Sequence, residues 1–239
     1  MQLKDLVDNK VYTNPISEIS IDNKSIINTI NPHSYCEAKK DSEFTKALLS
    51  SDVLLPDGSG IVLASKILSG KTINKIAGAD IHQYLLEQAN LKGDKVFYLG
   101  ASENTLQLIE KRIAKDYPNI SVSSYSPPYK PEFTSTDTSK MLAAVNSFNP
   151  KILFVGMTAP KQEKWVYANQ TSINANIVTS IGAVFDFYAG TVKRSSPFWI
   201  KLGLEWLPRL VREPKRLWKR NFVSTPLFLW DLLKTKCGI

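Results

Sequence analysis

Short apolar runs punctuate the chain, and each stops at a residue that turns the backbone. Val53, Leu54 and Leu55 run into Pro56-Asp57-Gly58. Lys95 to Gly100, Lys151 to Gly156 and Ile177 to Gly182 end on glycine, and Ser25 to Asn31 meets Pro32. Apolar runs of this length, rich in Val, Ile, Leu and Phe, predict buried strands. Between them the apolar residues recur at helical spacing, as in Ile61, Ala64, Ile67 and Leu68, then Ile81, Leu85 and Ala89, then Leu106, Ile109 and Ile113. A short strand is predicted over Ile120 to Val122 and a helix over Thr138 to Asn146, while residues 1 to 23 carry only weak strand alternation at Ile16, Ile19 and Ile21. Strands alternating with helices predict an α/β fold, a parallel sheet covered by helices on both faces.

Local signals place the helix starts. Pro32 suits a first helical turn, Asp80 of Gly78-Ala79-Asp80 suits an N-cap, and Pro160 opens a helix with Gln162 and Glu163 in its first turn. Ser126-Pro127-Pro128-Tyr129-Lys130-Pro131 is too stiff for either regular element. After Gly100, Ser102-Glu103-Asn104-Thr105 lacks the third glycine spacing of a dinucleotide fingerprint. In an open α/β sheet, ligands bind beyond the carboxyl ends of the strands. Asp57 there reads either as a general base or as a turn residue that only closes Pro-Asp-Gly. The strand-end glycines Gly100, Gly156 and Gly182 read either as close approaches for a phosphate ligand or as turn chemistry alone.

Charge changes the picture for the last fifth of the chain. The 239 residues carry a net charge of +8, yet residues 193 to 239 hold eleven Lys/Arg against three Asp/Glu, so residues 1 to 192 are neutral. Four of the five tryptophans, Trp199, Trp206, Trp218 and Trp230, lie in the same segment. An α/β body over 1–192 and a basic, Trp-rich helical appendage over 193–239 follow. Basic helices with Trp, Phe and Leu resemble interfacial membrane anchors; the alternative is a helix pair packed on the sheet body or on another subunit. The aromatics lie in apolar clusters rather than as isolated stacking platforms, which argues against nucleic acid. No run of 18 apolar residues spans a membrane and no signal-peptide core is present, so a cytoplasmic protein is expected. Cys36 and Cys237, at opposite ends of the chain, suggest no disulfide framework.

Taken together, the motifs resemble the WecG/TagA/CpsF glycosyltransferases. The matching pieces are Thr29-Ile30-Asn31, Pro56-Asp57-Gly58, Gly78-Ala79-Asp80, Phe97 to Gly100, Gly156 to Glu163, Gly182 to Gly190, Glu205 to Leu210 and Glu213 to Arg216. They occur in order over about residues 25 to 222. Thr158, Pro208 and Lys75 depart from the pattern, standing where a second glycine, a non-proline and an arginine are expected.

The resemblance implies a bacterial sugar transferase with a Rossmann-like body that builds cell-surface polysaccharide or teichoic acid. It implies a UDP-sugar donor, a polyprenyl-diphosphate-linked acceptor sugar, inversion at the anomeric carbon, no metal and no cofactor. TagA-like members add N-acetylmannosamine and WecG-like members its uronic acid. By the same resemblance Asp57 is the general base with Thr29 beside it. Asn31, Gly100, Gly156, Gln162, Gly182, Ala183 and Asp186 serve the nucleotide sugar. Arg209, Arg212, Arg216 and Arg220 of the appendage fold over the site and hold diphosphate. The protein is expected at the inner face of the cell membrane, and a homo-oligomer is open.

The residues support that chemistry independently. The sequence has no Asp-x-Asp, and His33 and His82 belong to no cluster of metal-ligand type. Leaving-group charge must then fall on arginine, lysine and backbone N–H groups. Arg209, Arg212, Arg216 and Arg220 are spaced to share one helical face, unless Pro214 breaks the helix. The competing reading is a non-catalytic α/β binding module recruited by its basic tail to anionic membrane or nucleic acid. It explains the charge map but not the gathering of Asp57, Gln162 and the glycine turns at one sheet edge.

Overall fold

The computed structural model describes residues 1–192, 199, 210 and 217–238. Six strands form one sheet: β1 (Ser25–Ile30), β2 (Val53–Pro56), β3 (Lys95–Gly100), β4 (Ser121–Tyr125), β5 (Ile152–Gly156) and β6 (Ile177–Ser180). Their order is β2-β1-β6-β5-β3-β4, and every pairing is parallel. All six carboxyl ends therefore lie on one edge. The chain leaves β3 toward β4 on one side and β5 toward β6 on the other, so the switch point of the sheet falls between β3 and β5. Gly100 and Gly156 face each other there in register.

Alternation within the strands explains the two covered faces. Val96, Tyr98, Ile152, Phe154 and Ile177 point to one side, where α5 (Gly78–Lys92), α6 (Glu103–Asp116) and α9 (Val184–Ala189) close the core. Phe97, Leu99, Leu153, Val155 and Val178 point to the other, against α7 (Ser135–Phe148) and α8 (Lys161–Asn169). One polar pair is buried in the first core: His82 Nε2 lies 2.6 Å from the Tyr98 hydroxyl.

A third core wraps the β2 edge. It joins Leu3, Leu6 and Val7 of α1 (Leu3–Asn9), Tyr35 of α2 (Pro32–Ala38), Phe44 and Leu48 of α3 (Ser42–Leu49), and Ile61 and Ala64 of α4 (Ser59–Ser69). Phe228 and Leu232 of the C-terminal helix α10 (Thr225–Cys237) complete it. Edge strand β2 is protected because Val11 bridges to Leu54 and the Tyr12 N–H donates to Leu54 O. Its last residue is Pro56, which an edge position tolerates.

Three expectations need correction. Residues 1 to 23 form α1 and a short 3₁₀ turn at Ile16–Glu18, not a strand, because Leu3, Leu6 and Val7 are a helical face rather than an alternating one. Asp80 is not the N-cap of α5. It sits at the third helical position, and its carboxylate accepts the Ala77 N–H at 2.8 Å, the returning half of a capping box. The helix expected over Thr138 to Asn146 starts at Ser135, because the Thr134 hydroxyl accepts the Asp137 N–H and caps it three residues early.

Candidate active site

A cavity of about 1160 Å³ lies along the carboxyl edge of the sheet. Its walls are the turns that follow β1, β2, β3, β4, β5 and β6, together with Leu217 and Arg220 from the tail. From β2 to β3 is four strand positions, about 19 Å at the usual strand spacing.

At the β2 end, the Asp57 N–H donates to Ile30 O at 2.8 Å, which extends the ladder one residue past β2 and fixes the aspartate beside β1. Gly58 then turns with φ of +103°, a value that favours glycine, and α4 begins. Thr29 and Asp57 line the same wall. Asn31 caps α2: its Oδ1 accepts the His33 and Ser34 N–H groups at 3.0 Å each, and the Ser34 hydroxyl accepts the Asn31 N–H at 2.8 Å. The amide nitrogen of Asn31 is the part of that side chain left to serve a ligand.

At the centre, the turns after β5 and β6 abut. Gln162 is strapped at both ends, since its Oε1 accepts the Met157 N–H at 3.0 Å and its Nε2 donates to Glu163 Oε1 at 2.9 Å. Gly182, with φ of +48°, lies against that amide. Glu163 is buried, its second carboxyl oxygen has no hydrogen-bond partner among the described residues, and burial pushes its pKa up to about 7. Gly156, Gln162, Gly182, Ala183 and Asp186 all line the cavity. The Asp186 carboxylate accepts the Thr191 hydroxyl at 3.4 Å.

Gly100 does not line the cavity. A Cβ on it would stand 2.3 Å from Gly156 O, and one on Gly156 would stand 2.4 Å from the Phe185 ring. Protein packing against protein demands glycine at both positions, and at Gly100 the φ of +122° also bears out the turn reading.

Of the four tail arginines, Arg220 lines the cavity. Arg209, Arg212 and Arg216, together with the shared helical face expected for the row, lie outside the described residues.

Three wall residues escaped the sequence reading of the site. Lys161 reaches across the mouth, where its Nζ donates to Lys130 O at 2.8 Å and lies 4.4 Å from the centre of the Phe133 ring; burial lowers its pKa. Tyr129 stands fully exposed on the proline-stiffened loop, which the Ser126 hydroxyl pins by donating to Ala101 O at 2.7 Å. His33 follows the Asn31 cap. The signals were a charged residue in a first helical turn and a rigid loop leaving a strand at the ligand edge. Among the described residues, no three His, Cys, Asp or Glu side chains gather as a metal site requires.

A parallel sheet with a large cleft along its carboxyl edge, Asp57 and Arg220 toward the β2 end and Lys161 toward the other, defines an α/β protein that takes its ligand across the switch point. Comparison with known proteins narrows the class. The model of the glycosyl transferase WecG/TagA/CpsF family matches residues 5–238, and the chain belongs to that family. It is a glycosyltransferase. A Bacillus subtilis (strain 168) protein named N-acetylglucosaminyldiphosphoundecaprenol N-acetyl-beta-D-mannosaminyltransferase is 34% identical over 210 residues, covering 88% of this chain and 79% of its own. Proteins of the same name from Bacillus spizizenii (31% identical, with the same coverage) and Staphylococcus aureus strain MW2 (26% over 214 residues, 90% and 82%) are also similar.

Proposed function

We propose that the chain transfers N-acetylmannosamine, or a closely related sugar, from a UDP-sugar to a polyprenyl-diphosphate-linked acceptor sugar, inverting the anomeric carbon without a metal. The observation that carries this reading is that Asp57 and Arg220, 163 residues apart in the chain, line one cavity of about 1160 Å³. The names of the similar proteins supply the acceptor class and the sugar.

Asp57 takes the proton of the acceptor hydroxyl as that oxygen attacks the anomeric carbon. The new glycosidic bond forms as the bond from that carbon to the diphosphate oxygen breaks on the opposite side, and UDP leaves with the electron pair. Arg220 and the N–H groups of the turns after β5 and β6 balance the charge gathering on the diphosphate. Thr29 and Asn31 orient the sugar beside Asp57. Gln162, Gly182, Ala183 and Asp186 seat the donor.

The tail also supports work at the inner leaflet. Trp218, Phe222, Leu229, Trp230 and Leu233 are exposed, and Lys219, Lys234 and Lys236 stand among them. Among the described residues, no helix is long and apolar enough to cross a membrane. A panel of UDP-sugars assayed with a short-chain polyprenyl-diphosphate-linked N-acetylglucosamine acceptor tests the proposal. Transfer from UDP-N-acetylmannosamine is expected, and transfer from none of the panel would reject it.

A further inference from the structure

The C-terminal helix packs on α1, α2 and α4, and the short helix α2 supplies a cluster of polar contacts to the tail. The His33 ring nitrogen Nδ1 lies 2.8 Å from the Ser224 hydroxyl, and the Cys36 thiol donates to Ser224 O at 3.3 Å. Further along, Asp231 accepts from the Tyr35 hydroxyl at 3.3 Å and from Lys39 at 2.5 Å, and the Phe228 ring meets Tyr35 edge-on. These partners belong to α2 or directly follow it, and α2 starts at Asn31 in the cavity wall. Gly60, three residues after Asp57, lets Pro32 and Phe228 close on the same spot; a Cβ there would stand 2.5 Å from the Pro32 ring. The tail thus seats on the corner that carries the carboxylate.

The tail backbone is unusual at that seat. Lys219–Ser224 is a π-helical turn, and the Thr225 N–H donates back to Arg220 O. Pro226 explains it: proline has no N–H for Phe222 O, and its ring crowds that carbonyl in an α-helix, so the turn ahead of it widens. The widened turn lets Ser224, Phe228 and Leu232 face inward while Arg220 reaches the cavity. Ser224 is buried, and its hydroxyl meets His33 one turn away from the guanidinium. Burial, and after it the charge of Arg220, lowers the His33 pKa.

We propose that His33 and Ser224 are positioning residues for Arg220: their hydrogen bond fixes the π-helical turn on α2 and so sets the guanidinium over the donor diphosphate. The assignment rests on the transferase reading of the cavity.

The test is an epistasis series in the full chain, using UDP-N-acetylmannosamine and the short-chain acceptor. Ser224→Ala and His33→Ala should each lower kcat roughly tenfold, as loss of one positioning hydrogen bond does. The thermal shift with UDP should shrink, because the displaced guanidinium no longer meets the diphosphate, while vesicle binding should be unchanged. The double variant should be no worse than either single, and neither change should lower kcat further in an Arg220→Ala background. Ser224→Thr and His33→Asn should restore much of the rate.

Wild-type kcat in Ser224→Ala, or an equal loss with and without Arg220, would overturn the proposal. Amide hydrogen exchange over residues 217–224 gives a readout independent of turnover. It should quicken in His33→Ala, and unchanged exchange would also overturn the latch. If the wild-type protein transfers no sugar, the functional reading fails by itself, and exchange still decides whether His33 holds the turn. Should Ser224→Ala not fold, His33→Ala and His33→Asn carry the same comparison from the body side.

Discussion

Two buried titratable side chains tie stability to pH in opposite senses. Burial pushes the His82 pKa down to about 3, so between that value and the ordinary 6.5 the unfolded chain binds a proton that the folded chain refuses. Stability from this site is full above 6.5 and falls as the pH drops, by about 1.4 kcal/mol per unit. Glu163 does the reverse. With its pKa raised to about 7 from 4.5, the folded state holds the extra proton, and stability is lost as the pH rises through that window. The two slopes oppose each other between 4.5 and 6.5. Melting temperatures from pH 4.5 to 8 should therefore respond differently to two variants. His82→Gln should flatten the acid limb, and Glu163→Gln should raise the melting temperature more at pH 8 than at pH 5. Equal effects of Glu163→Gln at both values would mean that the buried carboxyl does not titrate in this range.

The residue scale also shows what the chain sequence makes legible. Asp57 is readable because Pro-Asp-Gly follows an apolar run, and a strand end is where an open sheet binds ligands. The reason for Gly100 is not readable, because it lies in the backbone of Gly156 on a neighbouring strand 56 residues later. Gly100→Ala should cost about 3 kcal/mol or more, since the Cβ meets a carbonyl that cannot yield and φ is +122°. A urea denaturation midpoint close to wild type would contradict that packing.

Among the elements, the strands were the most legible. β3 and β5 are apolar on both faces, so a continuous run marks them without help from periodicity. α1 was missed because seven residues give barely two turns, and its apolar face acquires meaning only against α4 and α10. The N-cap of α5 lies three positions before Asp80, at Ala77, which has no capping side chain to signal it. The π-helical turn was hidden too. Pro226 signals a break, but whether the turn widens, kinks or stops depends on the seat that α2 offers Ser224.

α10 has two apolar faces, and they answer to different partners. Phe228 and Leu232 are buried against Tyr35 and its neighbours, while Trp230 and Leu233 remain 57% and 58% exposed. The sequence left membrane anchoring and packing on the body as alternatives, and the inner face meets the second without using the outer one. On the proposed reading the outer face meets lipid. Trp230→Ser with Leu233→Ser should weaken partitioning onto anionic vesicles by at least roughly tenfold, since burying each such side chain stabilises by about 2 kcal/mol. The melting temperature should hardly change. Undiminished cosedimentation would place the contact elsewhere.

At the scale of the whole molecule, the sheet distributes one reaction across its length. The switch point between β3 and β5 offers turns and helix starts suited to phosphate. The β2 edge holds the carboxylate, and the tail crosses back to the α2 corner with Arg220. On the proposed reading, the charge map, neutral over residues 1–192 and basic beyond, puts the base in one part and phosphate-neutralising groups in the other. The route by which the tail returns could not be anticipated, because it depends on contacts between residues about 190 positions apart, such as His33 with Ser224.

The central claim is that Asp57 is the base. Turnover of Asp57→Asn with UDP-N-acetylmannosamine and the short-chain acceptor, measured beside its thermal shift with UDP, tests it most directly. A fall of about 10²–10⁴ in kcat with the UDP shift retained is predicted, the usual contribution of a general base. Turnover equal to that of the wild-type protein would contradict the account.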